Sequence, residues 1–204
     1  MKKFLLVAFL FIGSQEVFSA VGAPCGDYGE CDSFKPELNN MESLQLGALT
    51  FINHCYGCHS LKYSRWGRIA KDLDIPENIF NDNLVFGVNV KLGDRMTGSM
   101  KPTVSETWFG IAPPDLTLVT RLHGSDWVYT YLRTFYEDSS KPYGVNNMVY
   151  PGSAMPNVLA SMQGQQILTE KRGDGDLVAG NTCLGSRATQ RSGATLTSRL
   201  GKPT

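Results

Sequence analysis

The residues Cys55-Tyr56-Gly57-Cys58-His59 decide how the rest of the chain is read. Two cysteines three apart, with a histidine directly after the second, form the attachment pattern of a c-type haem. The spacing follows from the chemistry. Each thiol adds to one vinyl group along one edge of a porphyrin. A two-residue gap lets a single helical turn present both sulfurs to that edge. It also brings His59 beneath the ring, where its imidazole can ligate iron. On this reading Cys55 and Cys58 hold one covalent haem c, and Tyr56 and Gly57 need only stay out of the way.

Two other readings compete. Zinc would need two further ligands at sensible spacing. His54 and His59 flank the pair too closely to supply them, and no second Cys-x-x-Cys follows. A dithiol redox pair would follow a β-strand and would have no use for His59. The start of the chain adds weight to haem. Lys2 and Lys3, the apolar run Phe4 to Ile12, and the small residues of Val17-Phe18-Ser19-Ala20 form an export signal over residues 1–20. That run falls short of the roughly 20 residues a spanning helix needs. Export suits covalent haem, which bacteria attach outside the cytoplasm.

Working outward, the motif is entered by a helix expected over Glu42 to Asn53. Its N-cap is Asn40 or Ser43, and Leu44, Ala48, Phe51 and Ile52 share one face. Residues 21–42 read as an extended lead-in. There Cys25 and Cys31 could pair in an oxidising compartment, or stand as two free thiols. Downstream, Ser60 to Ile69 carries Lys62, Tyr63, Arg65, Trp66 and Arg68. These could close over a haem edge or form a solvated helix. Pro76 to Phe86 reads as a core helix. Ala112-Pro113-Pro114-Asp115-Leu116 reads as a rigid turn. Asp126 to Glu137 reads as a helix capped by Ser125, with Val128, Tyr131, Leu132 and Phe135 as its core stripe. Residues 138–157 form a long loop of the kind that usually serves a function, and Leu159 to Leu168 a last short helix.

An electron-transfer haem usually has both axial positions filled. His59 supplies one. His54 lies too near the motif to reach the other face, which leaves Met155, Met100, Met96 and His123. Met96 and Met100 read as one helical turn apart. Met155 stands out, because Pro151-Gly152-Ser153-Ala154-Met155-Pro156 places it among small residues that allow close approach, with a stiffening proline behind it. The bland reading of any single methionine is core filler.

The whole chain balances 19 basic against 19 acidic residues. Residues 21–170 hold 11 Lys/Arg and 16 Asp/Glu, whereas 171–204 hold 6 and 2. An acidic body can steer a basic partner, although an ordinary solvated surface would look the same. Nothing calls for a nucleic-acid partner. Residues 171–204 are Gly-, Ser-, Thr- and Arg-rich, with a lone Cys183, no aromatic residue and no long apolar run. Such composition does not bury enough surface to order itself.

Several stretches together resemble bacterial cytochrome c1, the haem subunit of quinol–cytochrome c reductase. They are Cys55 to Ser60, Trp108-Phe109-Gly110-Ile111-Ala112-Pro113-Pro114-Asp115-Leu116-Thr117, Asp126 to Tyr136, Gly144-Val145-Asn146-Asn147 and Ala154-Met155-Pro156. The resemblance implies His59 and Met155 as the metal ligands. It also implies a propionate partner eight residues after Asp115. That position is His123, with Arg121 two before it. The family closes with a membrane-spanning helix, and none is visible at the C-terminus of this chain. The tail reads as a truncated or frame-shifted replacement.

The expected fold is therefore all-α, mostly helical with long loops, a class-I-like cytochrome c domain over 21–170 between a signal peptide at 1–20 and an atypical tail at 171–204. The resemblance implies electron transfer from a Rieske iron–sulfur subunit to a soluble cytochrome c, beside cytochrome b, on the periplasmic face of the inner membrane. It implies no bond-making chemistry by this chain itself. A free-standing periplasmic cytochrome serving another oxidase or dehydrogenase is the alternative. A peroxidase-like or ligand-binding protein with an open iron site is a third reading, opposed by Met155.

Overall fold

The computed structural model describes residues 25–87, 89–169 and 178–180, with backbone alone for Thr169 and 178–180. The expected export signal, and the expected tail apart from 178–180, lie outside these residues.

Helix α1 spans Met41–His54. Asn40 caps it, its side-chain oxygen accepting from the Ser43 N–H at 3.1 Å, which satisfies one of the donors a helix start leaves free. Ser43 therefore supplies a capped N–H and is not itself the cap. The expected face is the one that packs: Ile52 is buried, and Leu44, Ala48 and Phe51 lie against the same core.

That core gathers around Trp66, which is fully buried. Tyr56 meets its ring edge-on at 4.9 Å and Phe80 at 6.3 Å. Strand β1 (Leu61–Arg65) leads into helix α2 (Trp66–Asp72), followed by α3 (Glu77–Leu84). The expected solvated or haem-covering stretch at 60–69 is thus a strand followed by a core helix. β1 pairs antiparallel with β2 (Arg95–Met96) through an irregular register. Met96 is only 1 % exposed in this core, and it lies on a strand rather than one helical turn from Met100.

The second half begins with α4 (Pro102–Phe109), which opens on proline and closes at Gly110 in the left-handed region. Helices α5 (Val119–His123) and α6 (Ser125–Arg133) pack together. Strand β3 (Phe135–Glu137) pairs with β4 (Val145–Asn147), and β5 (Ile167–Thr169), after helix α7 (Ala160–Gln163), pairs with β6 (Val178–Gly180).

Four expectations are corrected. The chain is helix-rich but carries three short antiparallel pairs among the described residues, so an all-α description omits real structure. The helix expected to reach Glu137 ends at Arg133, because Phe135-Tyr136-Glu137 leaves to pair with 145–147. Such aromatic residues suit a pleated edge. Gly124, not Ser125, occupies the capping position, and the last helix stops at Gln163, before Gly164.

Cys25 and Cys31 form a disulfide around a single 3-10 turn at Gly26–Tyr28. Among the described residues no helix is long and apolar enough to cross a membrane.

Candidate haem-binding site

Helix α1 runs directly into the motif. Its last turn is extended by the Cys55 and Tyr56 N–H groups, which both donate to Phe51 O, and by His59 N, which donates to Cys55 O at 2.9 Å. This one tight turn carries Cys55 and Cys58 as half-buried free thiols. Burial, and then the neighbouring Cys58, push the Cys55 thiol above its ordinary range, so it stands protonated at neutral pH.

Tyr56 is no bystander, as the sequence reading had it. It is buried in the core, and its hydroxyl donates to Thr97 O at 2.6 Å. Residues 97–99 run along the motif and grip it twice more. Gly98 N donates to Ser60 Oγ at 2.7 Å, and Ser99 Oγ donates to Gly57 O at 3.2 Å. The approach is close: a Cβ on Gly98 would stand 2.8 Å from His59 O.

His59 Nδ1 lies 2.8 Å from Pro114 O. A carbonyl can only accept, so Nδ1 carries the proton and donates. That fixes the tautomer and leaves the lone pair on Nε2 for a metal. The Pro114 loop is itself held to the motif. Leu116 N donates to Ser60 O at 2.9 Å, and Asp115 accepts from Lys62 N at 2.8 Å and Thr117 N at 3.1 Å. Partial burial alone would raise the Asp115 carboxyl. The hydrogen bonds from the Thr117 hydroxyl and from the Lys62 and Thr117 N–H groups outweigh it and hold the carboxyl below its ordinary value.

Met155 belongs to a separate hydrogen-bonded group centred on Tyr131 of α6. The Tyr131 hydroxyl donates to Met155 Sδ at 3.5 Å and lies 2.8 Å from Ser153 Oγ. A phenol has one proton to give, so when it goes to sulfur Ser153 must donate to Tyr131. Ser153 Oγ then accepts from Met155 N at 3.3 Å. Burial raises the Tyr131 pKa, which keeps that proton on the phenol. The core stripe expected from the sequence includes Tyr131; its ring does pack, but its hydroxyl reaches the sulfur.

The loop that presents Met155 is tied down by two buried asparagines. Asn147 Oδ1 accepts from Val149 N at 2.9 Å and Tyr150 N at 3.0 Å, while its amide donates to Tyr131 O at 2.8 Å. Asn146 Oδ1 accepts from Asn147 N and Gly152 N. The expected long loop is therefore a well-bonded element. The pair is visible in the sequence as Asn146-Asn147; its role is not, because the residue type alone does not say which backbone groups a side-chain amide serves.

His123 and Arg121 both sit in the last turn of α5. The His123 ring stacks on Trp127 at 4.3 Å, and Trp127 stacks on Tyr131 at 5.2 Å. Arg121 is exposed. His54 ends α1 on the motif side, away from the Met155 group in the chain.

The donor set fits a c-type haem: two adjacent thiols, an imidazole nitrogen with its tautomer fixed, and a thioether held by a hydroxyl. Zinc fits poorly. Among the described residues no cluster of three or more His, Cys, Asp or Glu could hold a metal ion.

No family model matches the chain. It is similar to "Cytochrome c1" of Allochromatium vinosum, 46 % identical over 166 residues, which cover 81 % of this chain and 66 % of that protein, just under two thirds. It is also similar to the "Ammonia monooxygenase gamma subunit" of Nitrosomonas europaea, 38 % identical over 178 residues, covering 87 % of this chain and 72 % of that protein. The close identity to the former, over the stretch that holds the Cys55–His59 turn, the Pro114 loop and the Met155 group, establishes that the chain belongs to the cytochrome c1 family.

Proposed function

We propose that the chain carries one haem c, bound covalently through Cys55 and Cys58 with His59 and Met155 as axial ligands, and that it transfers electrons. The haem domain spans residues 21–170, exported by the signal at 1–20 to the periplasmic face of the inner membrane. Its place is as the haem subunit of a quinol–cytochrome c reductase, beside cytochrome b. It takes an electron from the Rieske iron–sulfur subunit and gives it to a soluble cytochrome c. The bound haem supplies the redox centre; the chain supplies the rest.

The observation that carries this reading is the pairing of His59 Nδ1 with Pro114 O. It keeps the imidazole in the tautomer whose Nε2 lone pair is free to bind iron. The Tyr131–Met155 contact supports a second, soft donor held in place by its own hydrogen bond. Two protein donors leave no open position for oxygen or peroxide chemistry. Held side chains also keep geometry constant when an electron arrives or leaves. Arg121, free to turn on the surface of α5, or His123 beside it, pairs with a propionate.

Met155→Ala tests the reading directly. The weak near-red sulfur-to-iron band of the wild type is expected to vanish in the variant while the haem stays attached. A band that persists would exclude Met155. Co-purification with a cytochrome b and a Rieske protein would support the complex, whereas recovery of the chain alone in the periplasmic fraction would support a free-standing cytochrome.

A further inference from the structure

We infer that the N-terminal disulfide segment, residues 25–34, is a strap that holds the Met155 side of the site in place, with the Cys25–Cys31 bond as its lock. This rests on Met155 being the axial ligand proposed above.

The strap grips both elements that position Met155. Along α6, Asp32 N donates to Thr130 Oγ1 at 2.9 Å and Phe34 N donates to Asp126 Oδ1 at 2.9 Å. Arg133 donates to Asp32 at 2.6 Å, and Phe34 stacks on Tyr129 at 4.7 Å. These four partners span the helix that carries Tyr131. At its other end the strap meets the ligand loop. Asp27 N donates to Met148 O at 2.8 Å. Gly26 adopts a φ of +55°, and a Cβ there would stand 2.3 Å from Val149 O, so the two backbones are in direct apposition.

From Val149 the path to sulfur is short. Val149 and Tyr150 are bonded to Asn147, and Ser153 N donates to Tyr150 O at 3.1 Å. Ser153 in turn bonds both Tyr131 and Met155. Met155 is placed by α6 through Tyr131 and by the 148–153 stretch through Ser153, so a shift of either would move it. The strap is bonded across both, which opposes either movement. The disulfide matters because it closes the turn that seats Gly26 while Asp32 is held on α6. Cys25 itself is fully buried. Without the cross-link the turn regains the open-chain conformations the bond removes, and the two anchor points are no longer held at a fixed separation.

The test uses the purified holoprotein and carbon monoxide, which binds ferrous haem only where a position is free. Ascorbate reduces the iron and leaves the disulfide intact. Dithiothreitol also cleaves Cys25–Cys31, its two thiols closing to a cyclic disulfide as the two cysteines become thiols, which labelling counts. The expected result is no carbon monoxide adduct with ascorbate and a several-fold larger adduct after dithiothreitol, reversed on reoxidation. The Cys25→Ser/Cys31→Ser variant should match the dithiothreitol sample without any thiol treatment. Two freed thiols with no gain in adduct would overturn the strap. An adduct already present with ascorbate would instead overturn Met155 as ligand, and the strap with it.

Discussion

The two groups proposed to hold the haem, one around His59 and one around Met155, are built from different materials. The His59 side rests on apolar packing: Trp66, Phe80, Met96 and Tyr56 fill a core directly behind the Cys55–His59 turn. The Met155 side buries fewer apolar side chains, chiefly Phe135, Met148 and Val149, and is knitted as well by buried polar groups, with Asn146, Asn147, Thr130 and Thr134 all buried. Apolar packing is non-directional and stabilises through the area it removes from water. A polar network is worth most when every member is satisfied, and losing one member strands its partners. The first side should therefore fail together with the fold, and the second by releasing the proposed ligand, Met155, while the fold persists.

Trp66→Ala should produce the largest effect. Removing a fully buried indole costs about 3 to 5 kcal/mol, read by denaturant unfolding of the holoprotein. The near-red band should persist until the whole molecule unfolds; early loss of the band would blur the distinction. Asn147→Ala should cost about 2 to 4 kcal/mol, because Val149 N, Tyr150 N and Tyr131 O lose their partner inside the protein. Here the band should weaken well before unfolding, with the haem still attached. A band as robust as that of Trp66→Ala would break the comparison.

Tyr131→Phe keeps the ring and removes one hydroxyl, at about 1 kcal/mol. With Met155 as the proposed ligand, the hydroxyl would draw density from the sulfur lone pair and weaken its donation to oxidised iron. Its removal should lower the midpoint potential, measured by redox titration; an unchanged potential would show that the contact does not reach the metal.

The smallest effect is expected at Asp115, on the His59 side. Its carboxyl is held below the ordinary range, so its contribution is complete above about pH 4 and is lost as pH falls through the lowered value. Asp115→Asn should be less stable than wild type at pH 7 by about 1 kcal/mol. The difference should close on acidification, and a gap that widens instead would reverse the assignment.

How much of this could be read from the chain differs between the sides in the same way. The Cys55-x-x-Cys58-His59 spacing and the Asn40 cap are local, and the structure repeats them. The Pro114 carbonyl, Tyr131, Ser153 and Asn147 reach partners 16 to 55 residues away in sequence, and a pattern of side chains does not announce such partners. Tyr56 and Met96 were misjudged for one reason: whether a residue between cysteines, or a methionine near the site, faces the core depends on strand β2, whose two residues carry no periodic signal. Cys25 and Cys31 were visible as a pair, but not what their turn rests against.

The aromatic placement has one practical outcome. Of the three tryptophans, Trp66 sits in the packing behind the thiols, while Trp127 is stacked on the tyrosine that touches Met155 Sδ. Bound porphyrin quenches nearby indole light emission through energy transfer. Versions that keep one of these two tryptophans, with phenylalanine filling the other positions, would thus carry a separate optical reporter for each side of the candidate site, and the rise of emission during unfolding would show which side lets go first.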